Sequence, residues 1–192
     1  MEENRISPPT WQTSLQFLLK QQTSKSAKSP RIAILGVGNS FRADDAAGVL
    51  VARALSTCAC THHTQHVLII ESGQAPENTT GEIRRFAPDL VLIVDAAELG
   101  EPPGTVKWIS EESIDGMSAS THSLPLSMLA RYLRLEVDCK VILLGIQPGS
   151  NEVGERVSPE VLQAVNETVD ALDELIGNDI THGREAERFP KV

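Results

Sequence analysis

Four short, continuously apolar segments recur through the middle of the chain, and each ends at a glycine, an acidic residue or a polar turn. Continuously apolar segments of this length are typical of strands buried on both faces of a parallel sheet. A fifth segment, GTVKWI (104–109), alternates weakly and predicts an edge strand. The four apolar segments are RIAILG (31–36), HVLIIE (66–71), LVLIVDA (90–96) and KVILLG (140–145).

Segments with helical periodicity separate these strands. Helices are predicted from about Asp45 to Thr57, over GEIRRFA (81–87) and over SLPLSMLARYLRL (123–135), where Pro125 lies near the first turn. A final helix is predicted over 158–178, with Ser158 as its cap, Pro159 at its first position and Gly177–Asn178 at its end. This alternation predicts a three-layer α/β sandwich with a mostly parallel sheet and helices on both faces.

Both ends of the chain differ from this core. Residues 1–30 are predicted to form an extension, with a short amphipathic helix followed by a polar linker, and residues 179–192 a polar tail. Residues 31–178 form the predicted main domain. The apolar positions of the N-terminal helix are Trp11, Leu15, Leu18 and Leu19.

Composition excludes several classes of function. The chain has 17 Lys and Arg against 26 Asp and Glu, a formal charge of −9, which argues against a nucleic-acid surface. The longest apolar run, Leu90–Val94, is far too short to cross a membrane, and we expect no signal peptide. Cys58, Cys60 and Cys139 are too few for a disulfide framework, so a cytoplasmic location is expected.

The glycine turn after the first strand does not fit phosphate binding. A dinucleotide fingerprint needs a third glycine where this chain has Phe41, and no Lys-Ser/Thr pair follows. Instead two acids, Asp44 and Asp45, come next. Asp44 suits the cap position of the following helix, which leaves Asp45 available to face the site.

Two further residues extend this acidic site. Asp95 ends a buried strand, where a carboxylate is costly unless it binds a cation or accepts hydrogen bonds from loop N–H groups. His122 precedes a helix, whose positive end favours the neutral imidazole that metal ligation requires, although a histidine without a role also fits there. Because ligands bind at the carboxyl ends of parallel strands, Asp45, Asp95 and His122 are candidate ligands of a divalent transition metal.

A second group of potential ligands lies in CACTHHTQH (58–66). This segment follows the first helix of the main domain and precedes the second strand, which predicts that it lies at the opposite edge of the sheet. We therefore interpret it as a surface loop rather than the active site.

Six motifs, in order from Arg31 to Gly177, resemble the hydrogenase maturation endopeptidases, and are most similar to the branch serving the formate-hydrogenlyase hydrogenase. This resemblance implies a twisted sheet of about five strands and a nickel-binding trio of Asp45, Asp95 and His122. The motifs are GVGNSFRADDAAG, GQAPEN, LVLIVDAAELG, PPGTVKWI, THSLPL and LLGIQPG.

The resemblance also implies an activity and a partner. Members of the family remove a C-terminal extension from the large-subunit precursor of nickel–iron hydrogenases after nickel insertion. The nickel arrives with the substrate, and other divalent metals can substitute in the isolated protein. We therefore expect an endopeptidase of the aspartic or metal-dependent type that is monomeric and cytoplasmic. By cleaving the precursor it would activate another enzyme.

Three features depart from the family pattern. Ala46 replaces the glycine usual after the acid pair, and Glu71–Gln74 replaces the usual turn after the second strand, which is associated with substrate choice. Members usually start just before the first strand, so residues 1–30 are atypical; they are either a partner-binding helix or an inert addition.

No serine or cysteine lies in a nucleophile-elbow pattern, so we predict metal-assisted hydrolysis without a covalent intermediate. The metal either polarises the scissile carbonyl or activates a water, and a carboxylate takes the proton. In an alternative mechanism the metal serves only for substrate recognition, and an acidic residue carries out the hydrolysis. Two other functions remain open at this point: a nucleotide-binding module, and a metal-sensing chaperone that docks on the precursor without cutting it.

Overall fold

The computed structural model describes residues 10–25, 29–58, 65–109 and 125–188. Five strands in these ranges form one sheet, and four of the five are parallel. The strands are β1 (Ile32–Val37), β2 (Val67–Gly73), β3 (Leu90–Ala96), β4 (Val106–Ile109) and β5 (Lys140–Ile146).

The order across the sheet is β2-β1-β3-β5-β4, with β4 antiparallel at one edge. The predicted edge strand and the mostly parallel sheet are therefore confirmed. Strands β1 and β3 are neighbours, but the chain leaves β1 towards β2 on one side and then returns to β3 on the other. The crevice between their carboxyl ends is a topological switch point, where open α/β sheets bind ligands.

Helices cover both faces of this sheet, as predicted. The apolar side chains of α1, α2 and α5 pack with alternate strand residues such as Ile34 and Leu92, and those of α3 and α4 pack with the intervening residues such as Leu35 and Ile93. The helices are α1 (Trp11–Lys25), α2 (Ala47–Leu55), α3 (Thr80–Phe86), α4 (Leu126–Val137) and α5 (Pro159–Arg188); two 3₁₀ helices span Ala43–Ala46 and Pro76–Thr79.

The N-terminal helix is part of the core of the described structure. In α1, Leu15 is 1 % exposed and Leu19 is 2 % exposed, and both pack in the same cluster as α5. The amphipathic helix predicted from the sequence is therefore present. Its apolar stripe covers the chain's own sheet, which accounts for that stripe without a partner protein. The proposed boundaries at residues 30 and 178 remain predictions.

The structure corrects the predicted end of the last helix. Helix α5 begins at Pro159 as expected but continues through Gly177 and Asn178 to Arg188. A glycine stops a helix when it adopts a left-handed conformation, whereas a glycine that stays helical only costs about 1 kcal/mol relative to alanine. Gly177 is helical here, so the helix runs into the segment that was predicted to be a polar tail.

None of the described helices is long and apolar enough to cross a membrane.

Candidate active site

The glycine turn after β1 holds the backbone of the acidic segment at very short range. Gly38 has φ +133°, and a Cβ atom there would lie 1.9 Å from the carbonyl oxygen of Asp45. The next residue, Asn39, donates its N–H to that same oxygen at 3.0 Å. Glycine is needed at position 38 both for the backbone conformation and for this approach. The turn therefore serves to bring Asp45 against the end of β1.

Most of the backbone N–H groups of the turn donate hydrogen bonds within the protein. Gly38 N–H bonds the Gly73 carbonyl, and other N–H groups of the segment bond carbonyl or side-chain oxygens of this chain. A phosphate cradle needs such N–H groups to be available. This geometry argues against the nucleotide-binding function that the sequence left open. The other bonded donors are the N–H groups of Asn39, Phe41, Arg42, Asp44 and Asp45.

A second glycine fixes helix α2 over the switch point. A Cβ atom at Gly48 would lie 2.0 Å from the carbonyl oxygen of Val94 in β3 and 2.4 Å from that of Val37 in β1. The first turn of α2 thus rests directly on the backbone of both strands. The 3₁₀ helix Ala43–Ala46 leads into this turn, which explains how Asp45 is held beside the crevice.

Asp44 links two loops and does not cap its own helix. Its Oδ1 accepts the Ser158 N–H at 2.6 Å, and its Oδ2 accepts the N–H groups of Gly149 at 2.7 Å and Ser150 at 2.9 Å. The Ser158 hydroxyl donates to Oδ2 at 2.8 Å. No side-chain capping bond is present at the start of either Ala43–Ala46 or α2, so the predicted cap is wrong. The reason is that Asp44 is fully buried and faces the loop after β5.

These bonds set the ionisation of Asp44. Burial raises the pKa of this carboxyl, but the N–H groups of Ser158, Ser150 and Gly149 and the Ser158 hydroxyl lower it by more, so its net pKa lies below the usual 3.8. Asp44 is therefore an ionised, hydrogen-bonded carboxylate at neutral pH. Its role is to join the loop after β1 to the loop after β5, across the end of β3.

Asp45 and Asp95 lie at the carboxyl ends of the two strands that flank the switch point. Asp45 is 8 % exposed and Asp95 is 2 % exposed. Ala43, just before the acid pair, has φ +34°, a conformation that costs a residue with a Cβ about 1–2 kcal/mol. Such strain persists where surrounding contacts hold the backbone in place, as the bonds of Asp44 and Asp45 to neighbouring segments do here.

The third predicted ligand, His122, lies outside the described residues. Helix α4, which follows it in sequence, packs on the face of the sheet that contains Leu35 and Ile93. Alternation along β3 places Asp95 on this face as well. Within the described ranges no group of three or more His, Cys, Asp and Glu side chains could hold a metal ion, so Asp45 and Asp95 contribute two carboxylates and not a complete set.

The described part of the Cys/His segment lies at the other edge of the sheet, as its place in the sequence predicts. Cys58 follows α2, and the carbonyl oxygen of His66 accepts the N–H of Ile32 at the start of β1. Both therefore lie at the amino ends of the strands, away from Asp45 and Asp95. The residues between them, 59–64, are outside the described ranges.

Sequence reasoning did not single out Gln147. This residue is 5 % exposed; its Oε1 accepts the Leu99 N–H at 2.7 Å and its Nε2 donates to Glu98 at 3.0 Å. It thereby fixes the loop after β3 to the end of β5. The sequence feature that could have identified Gln147 is its position in GIQPG, where a polar side chain directly follows a buried strand.

Fold and site together define a class: an α/β protein whose ligand-binding edge presents carboxylates, suited to a cation or to proton transfer in hydrolysis. A family model described as hydrogenase maturation protease matches residues 49–175. A relative from Methanocaldococcus jannaschii is 31 % identical over 152 residues, 76 % of this chain and 90 % of the relative. The Hydrogenase 3 maturation protease of Escherichia coli K12 is 40 % identical over 116 residues, 60 % of this chain and 71 % of the relative.

Solved structures agree with these matches. The crystal structure of the [NiFe] hydrogenase maturation protease HycI from Thermococcus kodakarensis KOD1 has a TM-score of 0.72 and 34 % identity, and it covers 83 % of this chain and 98 % of its own. The solution structure of the endopeptidase HycI from Escherichia coli has a TM-score of 0.66 and 32 % identity, over 75 % of this chain and 90 % of its own. This chain belongs to the hydrogenase maturation protease family and is a peptidase.

Proposed function

We propose that this protein is the endopeptidase that removes the C-terminal extension of a nickel–iron hydrogenase large-subunit precursor once nickel has been inserted. The observation that carries the proposal is the pair of buried acids, Asp45 and Asp95, at the switch point of a hydrogenase maturation protease fold. We place the chain in the formate-hydrogenlyase branch because of its motifs, and the family model that matches residues 49–175, which carries the name HycI, supports this choice.

The donor set fits a divalent cation presented by the substrate. Asp45 and Asp95 provide oxygen donors, His122 is proposed as a nitrogen donor, and nickel accepts both kinds. Three protein donors leave coordination positions for the substrate, which we propose carries the nickel into the site. Bound in this way, nickel polarises the scissile carbonyl or lowers the pKa of a water molecule.

The residues of this chain then move the protons of hydrolysis. A carboxylate of Asp45 or Asp95 accepts a proton from the attacking water as its oxygen bonds the carbonyl carbon. The C–N bond breaks, and the same carboxyl returns the proton to the leaving amine.

We further propose that the protein acts as a monomer in the cytoplasm, where hydrogenase precursors would reach it directly. The acidic charge of −9 makes a polypeptide a better-suited partner than a nucleic acid.

The test is to replace His122 by alanine and follow cleavage of the nickel-loaded precursor by intact-mass spectrometry. We expect the rate of peptide release to fall about 100-fold, because one donor to the substrate's nickel is lost. His66→Ala, which changes a histidine at the opposite edge of the sheet, is the matched control and should cleave normally.

Two outcomes would count against this function. Wild-type cleavage by His122→Ala would remove that residue from the site. A stable complex of wild-type protein with the correctly matched, nickel-loaded precursor, without release of a peptide, would instead establish the chaperone.

A further inference from the structure

Two large apolar side chains are exposed on the loops that border the acidic site. Phe41 is 79 % exposed on the loop after β1, and Val153 is 73 % exposed on the loop after β5. Both loops leave the carboxyl ends of parallel strands and so lie at the edge of the sheet that contains Asp45 and Asp95. The other large exposed apolar residues in the described ranges are on helices: Phe17, Met128, Tyr132, Leu135 and Leu162.

Hydrogen bonds hold the two loops together beside these side chains. Gly154, next to Val153, donates its N–H to the carbonyl oxygen of Phe41 at 2.9 Å. Arg42 Nε donates to the carbonyl oxygen of Asn151 at 3.2 Å. The N–H of Asp44 donates to the carbonyl oxygen of Ser150 at 3.0 Å. With the four bonds to the Asp44 carboxylate, these contacts join the loops along most of their length.

This arrangement presents Phe41 and Val153 on an ordered backbone. Loops that are already ordered do not lose further backbone entropy when a partner binds, so more of the apolar burial contributes to affinity. Two exposed apolar side chains on such a backbone are suited to bury an apolar segment of a partner.

The occupant follows from the position of this surface. Phe41 is four residues from Asp45, whose carbonyl oxygen lies against Gly38 just after β1. The loops after β1 and β5 are bonded to each other, and β3 lies between these two strands, so we expect a polypeptide whose scissile bond reaches the two acids to contact these loops. The surface is therefore continuous with the proposed site of hydrolysis.

We propose that Phe41 and Val153, the Phe41–Val153 patch, bind an apolar part of the precursor polypeptide close to its scissile bond. This inference rests on the proposed function, since it requires a polypeptide substrate at this edge. The patch acts in substrate binding and does not take part in the chemical step.

The experiment compares Phe41→Ala, Val153→Ala and the double variant with wild type in cleavage of the nickel-loaded precursor. We expect KM to rise about tenfold for Phe41→Ala and further for the double variant, while kcat changes less than twofold, because burial of an aromatic side chain from water is lost. Phe41→Leu keeps most of the apolar surface and should restore KM to within about threefold of wild type.

The controls are Phe17→Ala on α1 and Leu135→Ala at the end of α4. Both remove an exposed apolar side chain, 64 % and 68 % exposed, away from the loops after β1 and β5. We expect wild-type KM and kcat for both. Near-ultraviolet and far-ultraviolet circular dichroism of each variant checks that the fold is kept, and exposed positions such as these tolerate truncation.

The outcomes separate this proposal from the function on which it rests. Wild-type cleavage together with an unchanged KM in the double variant would overturn the patch and leave the endopeptidase intact. An equal rise in KM for the two control variants would also overturn it, because the effect would then not be local to the patch. Failure of the wild-type protein to bind or cleave the precursor would overturn both.

Discussion

Replacing Asp95 by asparagine is expected to reduce cleavage of the nickel-loaded precursor about 1000-fold while the protein stays folded. Asparagine has nearly the same size as aspartate but neither accepts a proton at neutral pH nor carries the charge that a cation requires. Asp95 is 2 % exposed in a central strand beside the switch point, so this near-isosteric change removes a carboxylate from the proposed site without opening a cavity. Asp45→Asn is expected to behave in the same way.

Asp89→Asn is the matched control, because Asp89 lies just before the other end of β3 and accepts the N–H of Arg31 at 2.7 Å. Single-turnover rates and urea unfolding of the three variants are the measurements. Near-wild-type cleavage by Asp95→Asn or Asp45→Asn would remove that acid from the chemistry. Loss of activity accompanied by unfolding would assign the residue to the fold instead.

Replacing Asp44 by asparagine is expected to lower the free energy of unfolding by about 3–5 kcal/mol at pH 7. Its two carboxylate oxygens accept four hydrogen bonds in a fully buried position, and an amide would turn an NH₂ group towards some of those donors. Urea unfolding measures the loss. Glu155→Gln is the control, since this exposed acid accepts a bond from Ser150 Oγ in the same loop and should change stability by less than about 0.5 kcal/mol.

The stabilisation that Asp44 provides is expected to decrease as the pH falls. The pKa of Asp44 in the folded protein lies below the usual 3.8, so the unfolded chain binds a proton first as the pH falls. The stabilisation from Asp44 is complete at neutral pH and is lost as the pH falls from about 4 through the lower pKa of the folded state. The difference in stability between wild type and Asp44→Asn should therefore shrink on acidification. A difference that stays constant down to pH 2 would contradict the assignment.

The sheet and the position of the acids could be predicted from local sequence. The four apolar segments predict the buried strands, because each is as short as a strand, rich in β-branched residues and bounded by glycine or polar residues, which favours a sheet covered on both faces over a buried helix. Once the strands are parallel, the residues that follow them share one edge. That is sufficient to place Asp45 and Asp95 together, and the glycine turn beside them.

The role of Asp44 could not be predicted in the same way. A helix cap is a local interpretation, whereas the partners of this carboxylate lie 105 to 114 residues further along the chain. The same limit applies to α1: a periodic apolar stripe shows that a helix needs a covering surface but does not say which. Leu15 and Leu19 are buried in the chain's own core. The predicted end of α5 was wrong because a glycine such as Gly177 permits a helix to end but does not require it to.

The most direct test of the central claim is mass spectrometry of the large-subunit precursor, nickel-loaded and nickel-free, after incubation with this protein. We expect release of one C-terminal peptide from the loaded precursor and none from the nickel-free form. Equal cleavage of both forms would contradict a role for nickel in the site formed with Asp45 and Asp95. Cleavage of neither would contradict the peptidase function itself.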